Sequence, residues 1–375
     1  MSPLPFPLEW RFRTAGGIVI KLAYQVPSMA EVSALPPNGF NAVSTFSGCG
    51  GSSLGYRMAG FRVLWASEFI EAARETYRAN AAPYTILDSR DIRAVRAEDV
   101  LTATGLGVGE IDLLDGSPPC SSYSTAGAGA RGWGKAKSYS GREQRTDDLW
   151  PEYIRLVRDL RPRTFVAENV AGMVRGVAKG VFVETLAALK ACGYRVAARV
   201  LDASWLGVPQ QRRRLIFVGV RDDLGIEPVH PKPFPHQYTL RDGVPWVDRP
   251  DENPFPVEPE TNINKYAIGR EWDRMGRAGT QSEKYFQLVR PRLDRPVPTL
   301  TATAGQTGAA GVCHPLERRK FSIAEAKRLG GFPDDFKFCG TYTEQFERVG
   351  RCVPPVMMSH IAAAVRDGVL RRIKR

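Results

Sequence analysis

Between residues 41 and 222, short apolar runs alternate with segments of helical periodicity, and this alternation restricts the fold more than any other feature. The segment 148–160 has the apolar spacing of an amphipathic helix and ends before Pro162. Strands that alternate with helices are typical of a parallel sheet covered on both faces. We therefore predict an α/β fold with a doubly wound, mostly parallel sheet, whose strands lie at 42–46, 61–66, 111–114, 164–167, 194–201 and 215–220.

The regular alternation ends near residue 223, and nine prolines follow between residues 228 and 259. Proline fixes φ and removes a backbone donor, so a doubly wound sheet cannot continue through this region. We predict an N-terminal extension (1–40), a main domain (41–222 plus 343–375) and a smaller irregular domain (223–342). Within the last, Ser322 and Glu325 form a capping-box pattern for a helix over 322–329.

A glycine-rich turn, Phe46-Ser47-Gly48-Cys49-Gly50-Gly51, follows the first strand of the main domain, and we predict a helix after it at 56–59. Glycines at a strand-to-helix turn let a ligand approach the backbone, and the start of a helix favours negative charge. The next strand ends at Glu68-Phe69, where a carboxylate can bind ribose hydroxyls, and a third short segment leads to Asp91-Ile92. These features indicate a nucleotide-sized site. The glycines could instead form a simple turn, and the acids could cap helices.

The stretch Asp115-Gly116-Ser117-Pro118-Pro119-Cys120 follows the strand predicted at 111–114. Its two prolines restrict the backbone and hold the thiol on a stiff turn at the carboxyl end of that strand. A thiol attacks as its thiolate, so such a position suits a nucleophile. Taken alone, a Cys at this position is more often a buried structural thiol, because free Cys is among the most buried residue types.

Residues 121–147 are rich in Gly, Ser, Arg and Lys, with five basic residues against Glu143 and Asp147. We predict a loop that can close over a polyanion beside Cys120, although a loop of this composition could simply be solvated. The net charge of +12 is also compatible with a nucleic-acid partner.

The composition limits the class of protein further. Apolar runs are too short to span a bilayer and the N-terminal residues do not resemble a signal peptide, so we expect a soluble, cytoplasmic protein. The six cysteines are dispersed without a C-x-x-C pair, and we expect no disulfide framework and no metal. We expect a monomer, since no heptad or repeat suggests assembly.

Taken in order, the segments resemble the cytosine-5 DNA methyltransferase family of the bacterial and phage restriction-modification type, over residues 41–375. Six motifs carry the resemblance: Phe46-Ser47-Gly48-Cys49-Gly50-Gly51, Pro119-Cys120, Glu168-Asn169-Val170, Gln210-Gln211-Arg212-Arg213-Arg214, Arg295-Pro296-Val297-Pro298-Thr299 and Val353-Pro354.

The resemblance implies an S-adenosylmethionine-dependent, Rossmann-like enzyme that methylates a flipped-out cytosine in double-stranded DNA, through a covalent Cys120 adduct. It implies a catalytic role for the main domain and target recognition for the irregular domain. Glu168 would donate a proton to ring nitrogen N3, while Arg212 and Arg214, on alternate residues of a strand start, would steady the base and that carboxyl. The cofactor site would be lined by Phe46, Gly48, Gly50, Glu68, Phe69, Asp91, Ile92 and Val353.

The sequence departs from the family pattern at three places. The acid that commonly opens the cofactor loop is Ser44, the residues after the nucleophile are Ser121-Ser122-Tyr123, and the closing Gly-Asn is Gly350-Arg351. None of these changes removes a reacting group. The alternatives are an RNA (tRNA) cytosine-5 methyltransferase and a catalytically silent DNA-binding relative. A dinucleotide-dependent oxidoreductase is disfavoured because residues 48–53 lack G-x-G-x-x-G. A partner restriction endonuclease acting on the same site is also possible.

Overall fold

A computed structural model describes residues 12–15, 18–119, 137–139, 142–144, 149–176, 178–306 and 308–373. Residues 12–15, 18–20, 137–139 and 142–144 are described by their backbone alone. Its strands are β1 (Phe12–Ala15), β2 (Ile18–Lys21), β3 (Asn41–Thr45), β4 (Arg62–Ser67), β5 (Ile86–Asp88), β6 (Leu113–Gly116), β7 (Lys137–Tyr139), β8 (Arg142–Gln144), β9 (Thr164–Val170), β10 (Tyr194–Asp202), β11 (Gln210–Gln211), β12 (Arg213–Arg221), β13 (Thr280–Gln281), β14 (Val289–Arg290) and β15 (Val297–Pro298).

The α-helices connect or flank these strands. They are α1 (Met29–Ala34), α2 (Gly51–Met58), α3 (Glu71–Asn80), α4 (Ala97–Thr104), α5 (Leu149–Leu160), α6 (Ala178–Ala191), α7 (Leu240–Gly243), α8 (Ala267–Arg274), α9 (Ile323–Leu329), α10 (Tyr342–Arg351) and α11 (Pro355–Gly368). No helix among the described residues is both long and apolar enough to cross a membrane.

Seven strands form one sheet in the order β10-β12-β9-β6-β3-β4-β5. The strands from β9 to β5 pair in parallel, and β12 pairs antiparallel to β9. The chain runs outward from β3 to β4 and β5 on one side, and returns to β6 and β9 on the other. The predicted α/β class with a mostly parallel sheet is therefore confirmed.

The core of this sheet is apolar on both faces, as expected of buried parallel strands. Val43, Trp65, Leu114, Phe165 and Phe217 contribute to one buried cluster with residues of α4, α5 and α6. The helix α5 matches its predicted amphipathic pattern, because Leu149, Trp150, Tyr153, Leu156, Val157 and Leu160 are its buried residues.

The chain divides into two compact units. The first, called here the sheet unit, comprises Leu35–Leu201, Arg213–Lys232 and Ser359–Arg375. The second, called the irregular unit, comprises Met1–Ala34, Asp202–Arg212 and Pro233–Met358. This division differs from the predicted domain boundaries. It places 1–34, 202–212 and 343–358 with the irregular region, and 35–40 and 223–232 with the sheet. The three domains, as functional assignments, stay a prediction.

The irregular unit has its own apolar core and short secondary structure. Leu240, Val297, Phe321, Leu329 and Phe346 belong to its larger buried cluster. Here the predicted capping box is present: Ser322 Oγ accepts from the amide of Glu325, and a Glu325 carboxylate oxygen accepts from the amide of Ser322.

Three elements begin or end differently from the sequence-based expectation. The helix predicted at 56–59 begins at Gly51, because the small residues after Gly50 are buried and join the helix. Strand β6 continues to Gly116, which pairs with both Thr45 and Ala167. Within the predicted loop 121–147, β7 and β8 pair antiparallel, and the rest of that loop lies outside the described residues.

Candidate active site at the carboxyl edge of the sheet

The strand order creates a crevice where the sheet connections change direction. Strands β3 and β6 are neighbours, but the chain leaves them toward opposite sides of the sheet. In open α/β sheets, ligands bind outside the carboxyl ends of the strands at such a point. The glycine-rich turn follows β3 here and the Pro-Pro-Cys turn follows β6.

The backbone of the glycine-rich turn has an unusual conformation. Phe46, Gly48 and Gly50 have φ of 53°, 55° and 92°. Positive φ is unfavourable for a residue with a side chain, so Phe46 is held in a strained conformation between β3 and the turn. A Cβ at Gly48 would meet no atom within 4 Å, which leaves its backbone accessible. This geometry fits a turn that approaches a nucleotide-like ligand closely.

Glu68 holds the glycine-rich turn at the end of β4. One carboxylate oxygen accepts from the amide of Gly48 at 2.8 Å, and the other accepts from the amide of Ile70 at 2.7 Å. The buried Arg74 guanidinium donates to the carbonyls of Glu68 and Phe69 and fixes this strand end.

The third predicted acid, Asp91, caps a short 3₁₀ turn. Its carboxylate accepts from the amide and guanidinium of Arg93. The side chain of Ile92 is buried in the core cluster of the sheet unit, and its carbonyl accepts from the Arg155 guanidinium at 3.1 Å. Asp91 therefore lies at the carboxyl edge of the sheet with Arg93 as its local cation partner. The side chain of Ile92 is not exposed there, so Ile92 could contact a ligand only through its backbone.

Glu168 and Arg214 form an ion pair across β9 and β12. Arg214 Nε lies 2.8 Å from Glu168 Oε1, and the two side chains are only 16% and 12% exposed. The antiparallel register sets Glu168 opposite Ile216 and Arg214 opposite Val170, so the two side chains are diagonal neighbours. A carboxyl group and a fixed cation thus share one strand end.

Asn169 links this strand end to the Pro-Pro-Cys turn. Because successive residues of a strand point to opposite faces, the Asn169 side chain points away from Glu168. Its Nδ2 donates to the carbonyl of Pro118 at 3.1 Å, and Asn169 is buried. The amide therefore restrains the turn two residues before Cys120. Cys120 itself lies outside the described residues.

A second carboxyl, Asp115, lies beneath the two turns. Asp115 is 1% exposed and its oxygens accept from Ser44 Oγ at 2.7 Å and Tyr56 Oη at 2.9 Å. Burial raises the pKa of Asp115 to about 7; the hydrogen bonds from Ser44 and Tyr56 oppose this rise and the charge of Glu168 reinforces it. A protonated Asp115 is thus stable at mildly acidic pH.

Arg212 and Val353 belong to the irregular unit. The Arg212 side chain is 1% exposed, and its guanidinium donates to the carbonyls of Leu300 and Gly350. It lies between β11 and β12, so the expected placement of Arg212 and Arg214 on alternate residues of one strand start is wrong. The buried Val353 precedes α11. Their predicted roles in catalysis and cofactor binding stay predictions.

Several residues that shape this site were not singled out by their sequence pattern. Asp115, Asn169, Tyr56 and Arg155 each fix a strand end or turn through a partner distant in sequence, and Arg74 does so through carbonyls five and six positions away. Asn169 adjoins a predicted catalytic residue within a motif, which is a signal for a supporting role. The arginines gave no such signal, because the sequence does not distinguish an arginine that is buried and bonded to carbonyls from one on the surface.

The sheet unit has the features of a nucleotide-binding α/β enzyme of the doubly wound class. These are the order of its strands, the glycine-rich turn, and the acids at successive strand ends. The comparison with known families is more specific. Residues 40–367 match the model of the C-5 cytosine-specific DNA methylase family, so the chain belongs to that family. It is a DNA (cytosine-5-)-methyltransferase, and its methyl donor is S-adenosylmethionine.

Sequence similarity to named methyltransferases covers most of the chain. Type II methyltransferase M.NgoPII of Neisseria gonorrhoeae is 31% identical over 361 residues, which cover 89% of this chain and 97% of that protein. Type II methyltransferase M.NgoFVII of the same organism is 30% identical over 338 residues, covering 86% of this chain and 85% of that protein.

A solved structure is similar in fold. It is that of a candidate DNA modification methyltransferase encoded within a prophage (E. coli), with a TM-score of 0.69 and 22% identity. The alignment covers 89% of this chain and all of that one. At this level of identity the likeness supports the fold alone.

Proposed function

We propose that the protein methylates carbon 5 of a cytosine within a short sequence motif of double-stranded DNA, with Cys120 as the nucleophile and Glu168 as the acid. One observation carries this assignment. The Glu168–Arg214 pair lies at the end of β9, and the adjacent Asn169 bonds to the turn that leads into Cys120. A single strand end thereby connects the proposed acid with the proposed nucleophile.

The chemistry requires these groups together. Carbon 5 of cytosine is a poor nucleophile, but bond formation between the Cys120 thiolate and C6 makes it enamine-like when N3 receives a proton. Arg214 occupies Oε1 of Glu168, so we assign Oε2 to N3. S-adenosylmethionine supplies an electrophilic methyl group to C5. Methyl transfer would release S-adenosylhomocysteine. Loss of the C5 proton to a base, return of the N3 proton to Glu168 and cleavage of the C6–S bond would then restore the ring and the thiolate.

The glycine-rich turn and two strand ends would hold the cofactor. Phe46, Gly48 and Gly50 provide backbone at the crevice, Glu68 and Asp91 provide carboxylates for ribose and adenine, and Phe69 and Ile92 adjoin these acids. The open space at Gly48 and the position of the Glu68 carboxylate against the Gly48 amide support this assignment. Val353 is assigned to the same site by the family resemblance alone.

The substrate base must leave the duplex, because its reacting atoms are stacked inside it. We assign target recognition to the irregular unit, where Arg241, Arg270, Arg274 and Arg277 are candidates for guanine contacts. Arg241 and Arg274 form ion pairs with Asp248 and Glu271, and DNA would have to compete for them. The loop 121–147 is the proposed clamp on the flipped nucleotide.

The wider context of the activity also belongs to this proposal. Two relatives of 30–31% identity carry the name Type II methyltransferase, which favours a restriction-modification role with a cognate endonuclease for the same site. We propose a monomer that acts on DNA in the cytoplasm of a prokaryote or phage-infected cell.

The test is methyl transfer from labelled S-adenosylmethionine to mixed-sequence duplex DNA and to RNA in parallel, followed by base-resolution mapping of modified positions. We expect label on C5 of cytosine within one duplex motif. Label on RNA alone would contradict a DNA substrate. Folded protein that binds both DNA and cofactor but transfers no label would indicate a catalytically silent relative.

A further inference from the structure

The acid expected at the start of the cofactor loop is replaced by Ser44, yet a buried carboxyl occupies the same place. Ser44 on β3 and Asp115 on β6 are partners in the parallel register of the two strands. Asp115 Oδ2 accepts from Ser44 Oγ at 2.7 Å. A carboxyl group therefore lies beside the end of β3, under the Phe46–Gly50 turn, but it belongs to the neighbouring strand β6.

The hydrogen bonds around Asp115 reach both ends of this turn. On the strand side, Ser47 Oγ donates to the oxygens of Ser44 at 3.0 Å, and the carbonyl of Ser47 accepts from the amide of Gly50 at 2.9 Å. On the helix side, Tyr56 of α2 donates to Asp115 Oδ1 at 2.9 Å. All of these polar side chains are buried. The network thus joins the residue before the turn to the helix after it.

The same residue also borders the nucleophile turn. The carbonyl of Asp115 accepts from Thr45 Oγ1 at 2.9 Å. The next residue, Gly116, has no room for a side chain, because an added Cβ would collide with the ring of Tyr153. Four residues later comes Cys120. Asp115 therefore fixes the point at which the cofactor turn and the Pro-Pro-Cys turn leave neighbouring strands.

We propose that Asp115 is a positioning residue for cofactor binding, which replaces an acid at position 44 from the neighbouring strand and sets the conformation of the Phe46–Gly50 turn. This inference rests on the proposed placement of the cofactor at that turn. Asp115 acts through Ser44 and Tyr56 and touches neither reactant.

The test exchanges the carboxyl between the two strands in the full-length protein. We expect Asp115→Ser to weaken binding of S-adenosylmethionine by roughly tenfold or more, since serine has one oxygen on a shorter side chain, whereas Ser44 and Tyr56 bond two separate carboxylate oxygens. The double variant Ser44→Asp/Asp115→Ser should recover to within about threefold of the wild type. Calorimetric titration gives the affinity, and methyl-transfer kinetics separate KM for the cofactor from kcat.

Asp112 provides a matched control. It is also a buried carboxyl, immediately before β6; it accepts from the amide of Asn41 at the opposite end of β3 and pairs with Arg163. Asp112→Ser should destabilise the fold without weakening cofactor binding. Equal losses of affinity in Asp112→Ser and Asp115→Ser would overturn the proposal, as would wild-type affinity in Asp115→Ser.

The exchange variant and one further variant, Glu68→Ala, separate a failure of the proposed role of Asp115 from a failure of the proposed cofactor site. If Asp115→Ser does not fold, a folded exchange variant decides the question: near-wild-type affinity supports the proposal and lost affinity overturns it. Glu68→Ala tests the cofactor site itself. Weaker binding in Glu68→Ala with unchanged binding in Asp115→Ser would refute the role of Asp115 alone, whereas unchanged binding in both would refute the placement of the cofactor.

Discussion

Replacing Asp115 by Asn should change how the stability of the protein depends on pH. Asp115 has a pKa of about 7 in the fold because of its burial, against about 3.9 in an unfolded chain. Between these values the folded state holds a proton that the unfolded state releases. The free energy of unfolding therefore falls as pH rises through this window, and stops falling above the folded pKa.

The size of the effect follows from the two pKa values. The full difference of about three units corresponds to about 4 kcal/mol, of which roughly 2 to 3 kcal/mol falls between pH 5 and pH 8. Asn does not titrate, and the hydroxyls of Ser44 and Tyr56 can both donate and accept, so Asp115→Asn keeps the hydrogen bonds. The stability of Asp115→Asn relative to wild type should rise by that amount from pH 5 to pH 8.

Urea unfolding of both proteins at matched ionic strength across this pH range measures the difference directly. The neighbours of Asp115 confine the change to one group: burial raises the pKa of Tyr56, Tyr77 and Tyr153, so these remain neutral throughout. Glu168 contributes by charge repulsion. Glu168→Gln should therefore lower the pKa of Asp115 and reduce the pH effect. A wild-type minus Asp115→Asn difference that stays constant from pH 5 to pH 8 would refute the reasoning.

Three other substitutions test the proposed chemistry and its scaffold. Cys120→Ser should abolish methyl transfer while cofactor binding and folding persist, and methylation by the folded variant would exclude the covalent mechanism. Glu168→Gln should lower the single-turnover rate by about 10²- to 10⁴-fold, with DNA affinity measured separately; equal losses in rate and affinity would contradict its role. Arg212→Met should reduce the free energy of unfolding by roughly 1 to 3 kcal/mol, because the carbonyls of Leu300 and Gly350 lose a buried donor; unchanged urea unfolding would argue against a structural role.

The sequence was sufficient to predict the sheet because the signals for strands and helices are local. Apolar runs and helical spacing predicted β3, β4, β9 and α5 to within a few residues. The end of β6 was predicted less well. The residues Gly116-Ser117-Pro118-Pro119 indicate an abrupt stop, yet Gly116 still pairs with Thr45, the last residue of β3, and with Ala167 of β9. A strand end depends on its partners, which lie elsewhere in the chain.

The supporting contacts of the site could not be predicted for the same reason. Asp115 and Ser44 are 71 positions apart, and only the register of β3 and β6 brings them together. Arg212 belongs to the motif Gln210-Gln211-Arg212-Arg213-Arg214, which suggests a site residue. Its guanidinium, however, bonds to backbone carbonyls 88 and 138 positions away. Motifs identify residue types that chemistry requires, but the partners of each residue follow from the fold.

Three carboxyl groups near the carboxyl edge of the sheet show how surroundings divide the work among similar side chains. Glu68 accepts from backbone amides and shapes a turn. Glu168 pairs with the cation of Arg214 and is the carboxyl that we assign to the base. Asp115 is bonded to hydroxyls in a fully buried site, where a proton is retained to about pH 7. If Asp115 positions the cofactor turn as we propose, an acid at position 44 is dispensable once position 115 carries one. The departure from the family pattern at Ser44 is then a relocation of the carboxyl group, and the cofactor turn retains its support.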